Sequence, residues 1–158
     1  MLPFAEQRYC VDVGAWDGCH LSNTYSLLVP SGDGSDGHTT TKWNGVLIEA
    51  DQTRFMDLKK LHDRFGNTCI CAEVSCQSES SRSLLSILKG DAEHLPQNFD
   101  LLSIDVDGTD YWVLADILGE DESHGYRPKV ICIEFNPTMP IGESFRMRCA
   151  ALAYAYIS

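Results

Sequence analysis

Three carboxylates fall within six residues at Asp105-Val106-Asp107-Gly108-Thr109-Asp110, directly after an apolar run. Acids at the end of such a run suit three chemistries. In a D-x-D-G-T word the first Asp can attack phosphorus while the second acts as acid beside Mg²⁺. An Asp-x-Asp pair can also clamp a divalent ion on a nucleotide sugar. A strand-end carboxylate can instead take the proton of a hydroxyl held beside it. The choice depends on what the rest of the chain places around this stretch.

The phosphatase chemistry needs later parts, namely a Ser or Thr, a Lys and a further acidic pair. After Asp105 the only lysine is Lys129, and the acidic cluster Glu120-Asp121-Glu122 precedes it. That word is also expected on an early strand rather than a late one. A calcium loop fails because Gly108 comes too soon after Asp105 for an EF-hand. The glycosyltransferase reading of Asp105-x-Asp107 keeps its apolar strand, but leaves the features around Gly14 and Glu49 as coincidences.

The elements that must hold these residues are five apolar runs at 9–13, 45–49, 68–72, 99–105 and 130–135. Several are apolar almost throughout, the pattern of parallel strands covered on both faces. Helical stretches lie between them. Phe55, Leu58, Leu61 and Phe65 form one stripe, stopped by Gly66-Asn67; Leu84, Leu85 and Leu88 form another, ended by Gly90; 111–118 is a third, closed by Gly119. A helix is expected near 21–29, and a last one at 144–157. Such alternation predicts a Rossmann-like α/β fold: three αβα layers around a doubly wound, mostly parallel sheet of strand order 3-2-1-4-5. One domain is expected over 1–158, with the polar stretch 30–42 as a surface insertion and 77–83 as a shorter loop.

Ligands of such sheets bind beyond the carboxyl ends of the strands. After the first strand come Asp12, Gly14 and Gly18, a glycine-bearing turn into the helix near 21–29. Gly14 lets the main chain turn and approach a ligand closely. The helix start would favour an anion and Asp12 an ammonium group, so together they suit an amino acid moiety. Glu49 ends the second strand, where an acid can accept hydrogen bonds from both hydroxyls of a ribose. Its spacing from Asp12 exceeds the usual roughly 20 residues, but removing the polar insertion restores it. Asp51 is the alternative residue for capping the next helix. Glu73-Val74-Ser75 follow the third strand and Glu134-Phe135-Asn136 the fifth.

Composition narrows the partners. Net charge is −11, and the nearest thing to a basic patch is Arg146 with Arg148, which argues against nucleic acid. No leader-like start and no long apolar span is seen, so a cytoplasmic location and no membrane partner are expected. Seven cysteines, several inside apolar runs, read as reduced thiols rather than a disulfide framework. Cys69-x-Cys71 lacks a second ligand pair and the histidines are scattered, so no metal set is expected.

VDVGAWDG (11–18), WNGVLIEAD (43–51), FDLLSIDVDGTDYWVL (99–114) and PKVICIEFNP (128–137), in this order, resemble the FkbM-like family of S-adenosylmethionine-dependent methyltransferases. The resemblance covers most of 9–137. It implies S-adenosylmethionine as cofactor and O-methylation of a small-molecule or sugar hydroxyl. By the same resemblance Asp12, Gly14 and Gly18 surround the methionine part, Glu49 holds the ribose, and Val74 and Ser75 border the adenine. Asp105 and Asp107 face the reactive end or the acceptor, as the catalytic candidates. Asp110 needs do no more than cap the following helix. The chain departs from the family in its long insertion and in the strands expected after the fifth, which 148–158 does not resemble. A cofactor-binding domain without catalysis is therefore the alternative, alongside the glycosyltransferase.

Overall fold

The computed structural model describes residues 8–30, 42–119 and 125–134. The chain runs through β1 (Arg8–Val13), α1 (Tyr25–Leu28), β2 (Trp43–Glu49) and α2 (Gln52–His62), which ends in a 3-10 turn at Asp63–Phe65. It continues through β3 (Thr68–Cys71), α3 (Leu84–Asp91), β4 (Leu101–Ile104), α4 (Asp110–Leu118) and β5 (Val130–Ile133). The strands form one sheet, parallel throughout, in the order β3-β2-β1-β4-β5. The chain enters at the middle and winds outward twice, so the switch point lies between β1 and β4. This is the doubly wound αβα architecture expected from the alternation of runs.

Side chains alternate across the sheet and feed two cores. Val11, Val13, Val46, Ile48, Leu102 and Ile104 pack with Leu84 and Leu88 of α3 and with Val113 and Ile117 of α4. Cys10 and Leu47 pack on the other face with Leu28 of α1 and Leu58 of α2. Each fully buried aliphatic side chain contributes about 1.5–3 kcal/mol. Covering both faces is why the central strands read as unbroken apolar runs. At the edge, β5 departs from that pattern, with all four residues exposed and Val130 at 57%. It pairs with β4 on one side.

Local chemistry sets the helix ends. Asp51 caps α2 by accepting from the Arg54 amide at 2.8 Å, and Ser83 caps α3 through the Ser86 amide. Gly119, with φ of +63°, ends α4. The helix expected at 21–29 is corrected to the four residues of α1. Side chains bond the main chain just before it. The Cys19 and His20 amides donate to Asp17 Oδ1, and the Thr24 and Tyr25 amides donate to Ser22 Oγ. Such local bonds compete with helix. In α2, Leu58 of the expected stripe is fully buried, Phe55 packs against the same core, and His62 is buried beside them. His62 Nε2 donates to the Gly18 carbonyl at 3.0 Å and Nδ1 accepts from Asn67 Nδ2 at 3.1 Å, so the buried ring is satisfied on both nitrogens.

The cysteines also need one correction. Cys10, Cys19, Cys69, Cys71 and Cys132 are free thiols, but Cys76 is disulfide-bonded. Burial, with the nearby charges of Asp12 and Asp100, pushes the Cys10 thiol up to about 12, which keeps it inert. No helix among the described residues is long and apolar enough to cross a membrane. Most of the polar insertion, the last expected helix and the question of further strands lie outside the described residues.

Candidate functional site

Strand register builds the rim. Val13 pairs with Ile48 on one side and Ile104 on the other, and Ile104 pairs with Ile133. The next residues of these four strands are Gly14, Glu49, Asp105 and Glu134. Three acids and a glycine therefore stand along one carboxyl edge, across the switch point.

The turn after β1 is held tightly. Gly14 and Ala15 both donate their amides to the Ile48 carbonyl at 3.0 Å, and Gly14 has φ of +80°. Gly18 has φ of +73° and presses on α2, where an added Cβ would stand 2.5 Å from Leu58 and His62. Between them Trp16 adopts φ of +54°, rare for a bulky residue. Its amide donates to Glu49 Oε2 at 2.8 Å, and its half-exposed indole stacks on the Arg54 guanidinium at 4.1 Å.

Two cavities open at this edge. The larger, about 550 Å³, runs from Glu49 past Trp16 and Gly14 to Asp105 and Asp107, with Val74, Ser75 and Cys76 on its far wall. That wall is tied down by the Glu73–Arg82 ion pair at 3.0 Å and by the Ser75 amide, which donates to the Arg82 carbonyl. The smaller, about 310 Å³, includes Asp12, His20, Ser22, Asn23 and Ser103 in its lining. The two share Gly14, Trp16, Asp105 and Asp107. Gly18 lines neither.

The acids differ in what they touch. Glu49 is buried, and its Oε1 accepts from the Asp51 amide at 2.7 Å while Oε2 accepts from Trp16. Each oxygen keeps a second lone pair, and Glu49 lines the larger cavity. Capping α2 falls to Asp51, which frees Glu49 from that role. Asp12 is buried in the smaller cavity's wall, and its Oδ2 accepts from Thr24 Oγ1 at 2.6 Å and Ser22 Oγ at 3.4 Å. Burial raises its carboxyl above the ordinary range against the pull of these hydroxyls and that of Ser103, and the Asp105 charge adds to the rise.

Beyond β4, Asp110 accepts from the Val106 amide at 3.0 Å and the Gly108 amide at 2.8 Å. It is the first residue of α4, after the cap Thr109, and its carboxylate fastens the turn rather than entering either cavity. Asp107, at φ of +54°, and Asp105 are left exposed. With Glu134 they offer carboxylate oxygens within 4.8 Å of one another, an arrangement common on surfaces without an ion. Burial and then the charges of Asp107 and Asp110 raise the Asp105 carboxyl, and Asp105 in turn is the main cause of the rise at Glu134.

The structure thus brings Gly14, Glu49, Val74, Ser75, Asp105 and Asp107 onto one cavity and Asp12 onto its neighbour, and leaves Gly18 behind the turn. The helix start expected near residue 21 falls instead at Tyr25, whose amide donates to Ser22 Oγ. Sequence reasoning noted Glu134 only as a strand end, and did not see that Asn23 and Ser103 meet through a 3.1 Å hydrogen bond. Strand parity could have signalled Ser103, which pairs in register with Asp12.

These features define a Rossmann-like domain with cavities open at the switch point. Comparison with models of known families, with curated proteins and with solved structures finds no match to this chain.

Proposed function

We propose that the larger cavity binds S-adenosylmethionine and that the chain is a methyltransferase acting on a hydroxyl of a small molecule or sugar. The observation that carries this reading is the larger cavity at the switch point, lined by buried Glu49 and by the Asp105-x-Asp107 turn. Its volume lies within the ordinary range for small-molecule sites. The free lone pairs of Glu49 suit the ribose hydroxyls, and Val74 and Ser75 border the adenine. Gly14 and Asp12 flank the methionine end, while Gly18 acts only by seating the turn on α2.

Bound there, the cofactor supplies a methyl group activated on a sulfonium. The protein's part is to hold the acceptor oxygen in line and to exclude competing water. Asp105, with its raised carboxyl, accepts the hydroxyl proton, and Asp107 is the second candidate. Five free thiols support a cytoplasmic setting, against which the Cys76 disulfide stands.

The acidic trio of Asp105, Asp107 and Glu134 favours a second reading, a nucleotide-sugar glycosyltransferase that holds Mn²⁺. Titration with S-adenosylhomocysteine separates the two. At a hundred times Kd that ligand adds about 2.7 kcal/mol of stability and raises Tm. No Tm shift together with a silent titration overturns the methyltransferase reading. A shift only with Mn²⁺ plus a nucleotide sugar replaces it with the second. Binding without methyl transfer to any hydroxyl acceptor leaves a cofactor-binding domain.

A further inference from the structure

The loop between β1 and α1 holds a charged pair that the fold does not need. Asp17 Oδ1 accepts the Cys19 and His20 amides, which closes the turn, and Oδ2 bonds the His20 ring at Nδ1. Burial acts to raise the Asp17 carboxyl, but these bonds outweigh it and bring it down to about 2, so Asp17 is ionised. The His20 side chain is 80% exposed, and an ion pair with so open a partner adds little stability.

The pair does fix the ring. An ionised carboxylate only accepts, so Nδ1 carries a proton and Nε2 is the nitrogen left for a ligand. His20 lines the smaller cavity, together with Leu21, Ser22 and Asn23. The Cys19, His20, Thr24 and Tyr25 amides are taken by side chains, whereas those of Leu21, Ser22 and Asn23 bond to nothing among the described residues. A ring N–H and main-chain donors on one wall suit a carboxylate. Asp12, Asp105 and Asp107 line the same cavity and repel a simple anion. The carboxylate must therefore arrive with a cation on the same group, as in an α-amino acid.

We infer that His20, oriented by Asp17, binds the α-carboxylate of the cofactor's methionine end. Protonated, the ring donates from Nδ1 to Asp17 and from Nε2 to the carboxylate, while Asp12 serves the ammonium group. Asp17 lines neither cavity and is a positioning residue. Assignment of this carboxylate to the cofactor rests on the proposed function.

Calorimetric titration of the full chain with three nucleosides provides the test. S-Adenosylhomocysteine carries both charged groups, its decarboxylated analogue keeps only the ammonium, and 5′-methylthioadenosine has neither. His20→Ala should weaken S-adenosylhomocysteine roughly tenfold and leave the other two unchanged. Tm should not move, because the side chain is exposed. Asp17→Asn keeps an acceptor for the two amides but turns an NH₂ to the ring, and should also weaken S-adenosylhomocysteine alone. In ¹⁵N spectra of the labelled ring, S-adenosylhomocysteine should move the His20 Nε2 signal, and the decarboxylated analogue should leave it in place. Equal effects of His20→Ala on all three nucleosides, or an Nε2 signal that S-adenosylhomocysteine does not move, overturn the inference and leave the cofactor reading standing. If none of the three binds the wild-type chain, the cofactor reading falls and the inference falls with it.

Discussion

A Cβ built on Gly14 would stand 1.8 Å from the main-chain carbonyl oxygen of Asp105. The freedom of this glycine is thus spent on the chain itself, where the exit of β1 crosses the tip of β4. Gly14→Ala meets backbone rather than a flexible side chain, and at φ of +80° it is strained as well. The substitution should cost about 3 kcal/mol or more, from overpacking and left-handed strain together. Urea unfolding measures it. A loss below 1 kcal/mol would mean that the two strand ends are not in contact.

Asp110 should behave as a structural acid. Its carboxylate holds the Val106 and Gly108 amides, and it lines neither cavity. Asp110→Ala strands two partly buried donors, at a cost of about 1–3 kcal/mol. The loosened turn carries Asp105 and Asp107, so ligand affinity should fall with it. Asp110→Asn keeps one acceptor and should recover part of the stability. Equal effects of the two substitutions in chemical unfolding would count against the paired bonds.

The sheet order and most strand positions were legible because both faces of the central strands are covered, which leaves unbroken apolar runs such as 45–49. The extent of α1 within the expected 21–29 was not, because Ser22 Oγ takes the Thr24 and Tyr25 amides just where the helix begins, a local bond that the apolar pattern does not reveal. The edge exposure of β5 was hidden for a related reason: VICI reads as core wherever it sits in a sheet. At the site, Glu49 and Asp105 were legible from their place at strand ends. Gly18 was placed in a ligand loop by its spacing alone, and its contact with His62 could not be read from the sequence. The ring of His62 joins segments distant in sequence, and only the folded chain brings them together.

Opposed carboxyl shifts give the protein a defined response to pH. The Asp105 carboxyl is raised above 3.8 by burial and its acidic neighbours, and Glu134 above 4.5 chiefly by Asp105. A group raised in the folded state contributes stability below its unfolded value and loses it as pH rises through the folded one. Burial also acts to raise Asp17, but bonds from the His20 ring and the Cys19 and His20 amides outweigh it and bring the carboxyl down to about 2. Its contribution is present above 3.8 and is lost as pH falls toward 2. Asp105→Asn should therefore raise Tm at pH 7 and raise it less as pH falls through the carboxylate range and the wild-type group takes up its proton, as differential scanning calorimetry at several pH values can check. An equal rise at every pH would point to packing instead of repulsion.

Glu49 carries two jobs that its variants should separate. Its oxygens hold the Trp16 and Asp51 amides, and their remaining lone pairs serve the proposed ribose contact. Glu49→Ala removes both and should cost about 1–3 kcal/mol of stability through the stranded amides. Glu49→Gln keeps Oε1 for one amide and turns an NH₂ toward the other, so part of the fold cost remains. At the cofactor it retains one acceptor where two hydroxyls need partners. S-adenosylhomocysteine affinity should then fall about tenfold for Gln, near 1.4 kcal/mol, and further for Ala. Calorimetric titration beside urea unfolding reads the two effects separately. Affinity unchanged in Glu49→Gln, with stability lowered as expected, would leave Glu49 as a clamp on the Trp16 turn and move ribose recognition elsewhere on the cleft wall.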